Sequence, residues 1–319
     1  MIVAKDNADK TRVLPNFLIV GVGKSGTTTL YYILKEHPDI FMSPVKEPCF
    51  FSAQFLNLPQ KGIQDEKKLF VREFADYCTL FADVKNEKAI GEASADTIYY
   101  YEHTIPMIKQ VLGEPRIIIM LRNPVDRAYS NYMHLWRDNR EYLSFEDGLA
   151  QEEARIRNAW QVMWYYKKRG LYYDQVKAFM EAFSHVHVVL TDELKKNPQD
   201  TLKGVYEFLE VATDFQTTQT RKQYNISGFP RFKTFNNFFL MKNAFQRTVR
   251  AVGSFLLTAD RYAKFRDAIR AKFFIRVDMK PETRAYLQNE FRDDILKLQD
   301  LLQKDLSGWL KPKNLKEKQ

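Results

Sequence analysis

Residues 17–30, FLIVGVGKSGTTTL, constrain the fold more than any other stretch of the chain. Phe17, Leu18, Ile19 and Val20 form a short unbroken apolar run, the pattern of a strand buried on both faces. Gly21 ends the run. Gly23, Lys24, Ser25 and Gly26 follow, then Thr27, Thr28 and Thr29, and then the helix-like LYYILKEH. Strand, glycine-rich turn and helix in that order aim the first unpaired helical N–H groups into the turn, with the positive end of the helix dipole behind them. That geometry binds phosphate. Glycine lets the backbone approach a ligand closely, the threonine hydroxyls add donors, and Lys24 adds a mobile charge. The plain alternative is a tight turn that binds nothing, and the density of donors argues against it.

The nucleotide-binding loop G-x-x-x-x-G-K-[ST] shares this outer frame, since Gly21 and Gly26 have its separation. Thr27 stands where that loop needs lysine, and the lysine lies inside the loop, at Lys24. A P-loop kinase would also need an acidic residue ending the RIIIML strand to hold magnesium, where this chain has Leu121-Arg122. Lys+Arg number 49 against 40 Asp+Glu, a net charge of +9. Such a balance favours anionic partners without choosing among nucleotides, acidic polysaccharides, nucleic acid and membrane surfaces. With the aromatic, basic region 221–250 it makes a nucleic-acid-binding protein the rival from another class.

The 319 residues, 45% of them hydrophobic, suffice for one large α/β domain over residues 16–319. Residues 1–15 read as a polar, loose terminus. Short apolar strands are expected at DIFM, at Lys88–Gly91, at RIIIML (116–121) and at HVHVVL (185–190), with helices between them over 28–36, 65–82, 100–112, 144–183 in pieces, and 198–209. Asn123 reads as an N-cap with Pro124 in the first helical position. The alternation predicts a parallel sheet covered by helices on both faces, with ligands at the carboxyl ends of the strands. Residues 210–276 read as loops and basic helices over the mouth of the site, and a helix starts at Pro281. Cys49 and Cys78 make no disulfide framework, the N-terminus has no apolar signal region, and no run is long enough to span a membrane. A cytoplasmic protein is the expectation.

Four pieces carry chemistry. The loop around Lys24 is the first. Arg122 ends a strand and Ser130 lies about two turns into the next helix, so an arginine fork and a hydroxyl can hold a phosphate; Arg127 is the nearby alternative, and a structural salt bridge the bland reading. Lys46-Glu47-Pro48 precedes Cys49-Phe50-Phe51, and a carboxylate among aromatics can act as a base, or simply pair with a lysine. Glu92 and Ser94 follow a strand and can position an acceptor or brace Lys24. Cys49 has no histidine placed to activate it and fits a small buried role. No C-x-x-C or H-E-x-x-H occurs, so no metal is expected.

These residues resemble a known family. GVGKSGTTTLYYIL resembles the 5′-phosphosulfate loop of sulfotransferases that use 3′-phosphoadenosine 5′-phosphosulfate (PAPS) and release adenosine 3′,5′-bisphosphate. RNPVDRAYSNYMHLWR is similar to their 3′-phosphate motif, which implies that Arg122 and Ser130 hold that phosphate. KEPCFFS resembles the segment carrying the catalytic glutamate in the carbohydrate, heparan-sulfate-type branch, which implies Glu47 as base. GEASADTIYY is similar to the E-K-[ST]-P segment of that branch, with Ala93 in place of its lysine. The resemblance further implies that Gly23, Ser25, Gly26, Thr27, Thr28 and Thr29 bind the cofactor with Lys24, that Lys24 stabilises the leaving phosphate, and that Lys46, Glu92 and Ser94 lie near the acceptor. Animal members hold the cofactor with a disulfide-bearing loop, and no cysteine follows Cys78 here; Lys222, Arg231 and Lys233 are the candidate replacements. A bacterial-like member acting on a saccharide or other small hydroxyl or amine, with no nucleic-acid partner, is the resulting expectation.

Overall fold

The computed structural model describes residues 2–5, 11–56, 61–62, 70–217, 229–230, 274–275 and 278–312. Lys222, Arg231, Lys233 and most of 210–276 lie outside the described residues, as do residues 65–69 of the helix expected over 65–82.

The apolar runs become the inner strands. Strand β3 (Phe17–Gly21) and β6 (Arg116–Leu121) pair in parallel at the centre of a five-stranded sheet with the order β4-β5-β3-β6-β7. Strand β5 (Ala89–Ala93) lies on the other side of β3, β4 (Ile40–Met42) is one edge and β7 (Val186–Leu190) the other; every described pairing in this sheet is parallel. Alternate residues of the central strands feed two cores. Phe17, Ile19, Ile118 and Met120 pack with Leu30, Tyr31 and Leu34 of α1 (Thr27–Lys35) and with Leu202, Val205 and Tyr206 of α10 (Pro198–Phe208). Leu18, Val20, Ile117, Ile119 and Leu121 face the opposite layer. That layer holds α4 (Tyr101–Leu112), α5 (Pro124–Arg137) and α8 (Tyr173–Ala182). It also holds α11 (Pro281–Glu290) and α12 (Arg292–Leu302). Burying apolar faces on both sides of β3 and β6 is what near-continuous hydrophobic strands require.

The C-terminal helices belong to the same body. Phe291, Ile295 and Leu298 are fully buried in the core that contains Leu18 and Ile119, and Arg284 Nη2 donates to Asp126 Oδ1 on α5 at 2.7 Å. Asn123 caps α5 as expected, its Oδ1 accepting from Val125 N at 3.0 Å.

Local differences have local causes. Residues 1–15 are not loose where described: β1 (Ile2–Lys5) and β2 (Thr11–Leu14) pair as an antiparallel ribbon whose Leu14 is fully buried. Within 70–82 the helix is only α3 (Phe74–Thr79), with Tyr77 stacked on Phe50 at 4.3 Å between ring centres. KEPCFFS is a loop followed by the single helical turn α2 (Phe50–Ala53), and both phenylalanines point inward. The segment 144–183 breaks into α6 (Phe145–Ala150), α7 (Glu152–Arg157), two 3-10 turns and α8. Immediately after β7 the chain forms α9 (Thr191–Lys196), which the strand pattern does not announce. Among the described residues no helix is long and apolar enough to cross a membrane.

Candidate active site

Strand order sets the position of the site. The chain leaves β3 toward β4 on one side, returns through β5, and then continues to β6 and β7 on the other. The carboxyl end of β3 is thus the place where the connections diverge, and a crevice opens there in such sheets. The loop 22–26 fills this point. Val22 N donates to Met120 O at 2.8 Å and Ser25 N to Val22 O at 3.1 Å, which curls the loop over the end of β6. Gly26, at φ 93°, turns the chain into α1, in a conformation that glycine adopts without steric cost. The first helical bond runs from Leu30 N to Gly26 O at 3.1 Å, so the amides of Thr27, Thr28 and Thr29 lack intrahelical acceptors. Thr27 is buried, while Thr28 and Thr29 are half-buried in that first turn.

Lys24 stands at the centre, itself at φ 74°. Burial pulls its pKa from 10.5 down to about 7, reinforced by the charges of Arg137, Arg122 and Arg169 and opposed by Asp138. Arg122, at the end of β6, donates from Nη1 to Lys24 O at 3.1 Å, so strand end and loop are tied directly. Ser130 is half-buried on α5.

The carboxylates enter from the β5 side. Glu47 N donates to Ala93 O at 2.9 Å, hanging the Lys46–Cys49 loop on the end of β5. Lys46 Nζ holds Glu47 Oε1 at 2.7 Å, and the Glu47 side chain keeps 28% of its surface exposed. Glu92 and Ser94 are each 1% exposed. Ser94 Oγ donates to Glu92 Oε2 at 2.8 Å and accepts from Cys49 N at 3.0 Å, so their hydrogen bonds brace the Glu47 loop. Cys49, like Cys78, is a buried free thiol. Glu47, Cys49 and Asp96 offer donor atoms within 4.8 Å of one another; Lys46 Nζ also bonds Glu47 Oε1, and Ser52 Oγ donates to Asp96 Oδ2 at 2.9 Å.

Several neighbours escaped the sequence reading. His134 and Arg137 lie four and seven residues after Ser130, on the same face of α5. Arg137 Nη2 lies 2.8 Å from His134 Nδ1, and Arg137 Nε donates to Asp138 Oδ1 at 2.8 Å. Burial, then Lys24 and Arg137, hold the His134 imidazole far below its ordinary pKa, so it is neutral at physiological pH. Helical spacing from Ser130 would have found both residues. Arg169, buried against Gly23, has no such signal, since KKRG reads as a solvated charge run.

A profile of the sulfotransferase family matches residues 15–215. The chain belongs to the sulfotransferase family. A sulfotransferase from Alicyclobacillus acidocaldarius has the same fold, with a TM-score of 0.74 at 33% identity, covering 94% of this chain and 100% of that one. The membrane-associated sulfotransferase kil1 of Dictyostelium discoideum is 36% identical over 125 residues, 39% of this chain and 23% of that protein. The human bifunctional heparan sulfate N-deacetylase/N-sulfotransferase 2 is 25% identical over 231 residues, 68% of this chain and 24% of that protein. The matched stretch thus spans about a quarter of each of these two curated relatives. Family membership indicates a sulfotransferase enzyme and favours that reading over the kinase and nucleic-acid-binding ones.

Glu92 is a buried group whose titration near neutrality can be read in stability. Burial, with smaller pushes from Asp96 and Glu47, raises the Glu92 pKa from 4.5 to about 8 against the Ser94 hydrogen bond. The folded protein therefore binds one more proton than the unfolded chain between those values, and stability falls as pH rises through the window. Glu92→Gln removes that titration. We expect the variant to lose this pH dependence and to exceed the wild type in stability above about pH 8, by on the order of a few kcal/mol. Parallel unfolding profiles for the two proteins from about pH 5 to about pH 9 would contradict the assignment.

Proposed function

We propose that the enzyme transfers the sulfuryl group of PAPS to a hydroxyl or amine of a saccharide or glycoconjugate. The observation that carries this reading is the Arg122 Nη1 to Lys24 O bond, which joins an anion-binding loop to a second anion-binding residue on the neighbouring strand end. The N-terminus of α1, the glycine approach at Gly26 and the cations Lys24, Arg122 and Arg137 fit a polyanionic donor. When bound, PAPS supplies an activated sulfuryl group and a bisphosphate leaving group.

The residues divide the work as follows. Gly23, Ser25, Gly26, Thr27, Thr28 and Thr29 present backbone and hydroxyl donors to the 5′-phosphate end. Arg122 and Ser130 hold the 3′-phosphate, which selects this donor over a nucleoside triphosphate. Glu47, held by Lys46, takes the proton of the attacking hydroxyl or amine. Lys24 answers the negative charge that develops on the leaving phosphate, a preorganised electrostatic role, and with the surrounding arginines supplies charge that a P-loop kinase draws from magnesium. Lys46, Glu92 and Ser94 keep Glu47 at the acceptor side. The acceptor class is supported by the carbohydrate-directed names of the relatives, such as the heparan sulfate enzyme. A cytoplasmic setting is part of the proposal, on the two unbridged cysteines Cys49 and Cys78, which suit a reducing compartment.

The test is a thermal-shift titration with adenosine 3′,5′-bisphosphate beside ATP–magnesium. A ligand at one hundred times its dissociation constant stabilises the fold by about 2.7 kcal/mol. We expect a shift with the bisphosphate, weakened roughly tenfold or more in affinity by Arg122→Ala, because a bidentate charged contact is lost. A shift with ATP–magnesium alone would overturn the donor assignment.

A further inference from the structure

A second cation stands behind the loop, and the mechanism above gives it no task. Arg169 lies on the 3-10 turn Lys168–Gly170 and is 2% exposed. Among the described residues its guanidinium meets no carboxylate. Nη1 donates to the Met163 sulfur at 3.4 Å, a weak acceptor, and Nε has no partner. Burying a charge on those terms is unfavourable unless an anion joins it. Nη2 lies against the loop itself, since a Cβ at Gly23 would lie 2.5 Å from it and would displace the guanidinium.

The turn cannot relieve the burial by swinging outward. A Cβ at Gly170 would lie 2.8 Å from the Phe291 ring and 3.2 Å from Pro124 Cβ. Tyr172 OH donates to Arg122 O at 3.0 Å, and Asp294 accepts from Tyr172 N at 2.7 Å and Tyr173 N at 3.1 Å. The rigid strap thus holds Arg169 at Gly23 with one end and ties down Arg122 with the other. Gly23 and Lys24 open the loop at the β3 end, whereas Gly26 to Thr29 close it at the helix end, where phosphate is held. Arg169 therefore stands at the β3 end of the loop, against Gly23 and near Lys24.

We propose that Arg169 is a further anion-binding residue of this sulfotransferase, its guanidinium taking the sulfuryl oxygens of the donor beside Lys24. The inference rests on PAPS as the donor. The sulfuryl group is the one part of PAPS that the bisphosphate lacks, so the two ligands isolate it.

The experiment measures equilibrium binding of PAPS and of adenosine 3′,5′-bisphosphate, without acceptor, to the wild type, Arg169→Met and Arg169→Lys. Arg169→Met is expected to weaken PAPS roughly tenfold or more, the loss of a charged hydrogen-bonding group, and to leave the bisphosphate within about twofold. Arg169→Lys keeps a charge without the fork and recovers part of the difference. Arg169→Gln keeps a hydrogen-bonding side chain without the charge, and carries the same expectation if Arg169→Met does not fold. Equal weakening of both ligands, as a purely structural role would give, or no change in either, overturns the assignment. So does a loss seen only when a saccharide acceptor is present, which would place an acceptor anion on Arg169. A wild type that binds neither ligand overturns the donor reading and this inference with it.

Discussion

On the proposed mechanism, Lys24→Met is expected to lower sulfuryl transfer from PAPS by about two to three orders of magnitude, the scale of one preorganised electrostatic group, without unfolding the protein. The fold is spared because the lysine contributes little to it. Its ammonium is desolvated and faces Arg137, Arg122 and Arg169 with only Asp138 opposing, and methionine keeps the shape without the charge. The φ of 74° is an equal strain for either side chain. The pH dependence gives an independent reading. With a folded pKa of about 7 against an ordinary value of 10.5, the unfolded chain binds the extra proton between those values. The Lys24 contribution to stability is therefore present above the upper value and lost as pH falls through the lower one. Lys24→Met abolishes that slope and is the more stable protein near neutral pH. An arriving polyanion favours the charged lysine, so wild-type binding of adenosine 3′,5′-bisphosphate at about pH 8 takes up a proton that the variant does not, measurable by calorimetry in buffers of different ionisation enthalpy. Unchanged turnover in a folded Lys24→Met would remove Lys24 from the mechanism.

What the sequence disclosed and what it hid follow from the range of each interaction. The central strands β3 and β6 were legible because a strand buried on both faces needs an unbroken apolar run, and FLIV and RIIIML are such runs. The loop after β3 and the cap at Asn123 were legible because turn and cap chemistry is local. The short helix α3 and the ribbon of β1 and β2 were not, because neither is decided by periodicity. Tyr77 is placed by its stacking on Phe50, and β2 by the burial of Leu14 in the core. Lys24, Glu47 and Arg122, which the proposal places at the site, came from motifs that each sit by a strand end. Arg169 did not, since nothing near it in the chain specifies Gly23 as its neighbour; their approach is made by the packing of Gly170 against Phe291. Glu92 and Ser94 were read as positioning an acceptor or bracing Lys24; that they brace the Glu47 loop appears only when Ser94 meets the backbone of Cys49.

Glu47→Gln separates proton abstraction from donor binding more sharply than any other single change. The amide keeps the size of the side chain and an oxygen for Lys46, which now holds Oε1 at 2.7 Å. The backbone at φ 59° stays anchored through Glu47 N to Ala93 O, so the loop has no cause to move. Only the ability to accept a proton is lost, and general base catalysis of this kind is worth about two to four orders of magnitude. We expect affinity for adenosine 3′,5′-bisphosphate to remain within about twofold of the wild type, while transfer of radiolabelled sulfuryl to hydroxyl- and amine-bearing saccharides collapses. The split matters because the proposal has Glu47 and Lys24 act on opposite ends of the same displacement. Lys24→Met should weaken the bisphosphate as well as turnover, since it removes a charge the leaving group meets; Glu47→Gln should touch turnover alone. If Glu47→Gln instead weakened the bisphosphate and spared turnover, Glu47 would belong to the architecture of the donor site. The base would then have to be sought on the α5 face, where the neutral His134 stands next to Lys24.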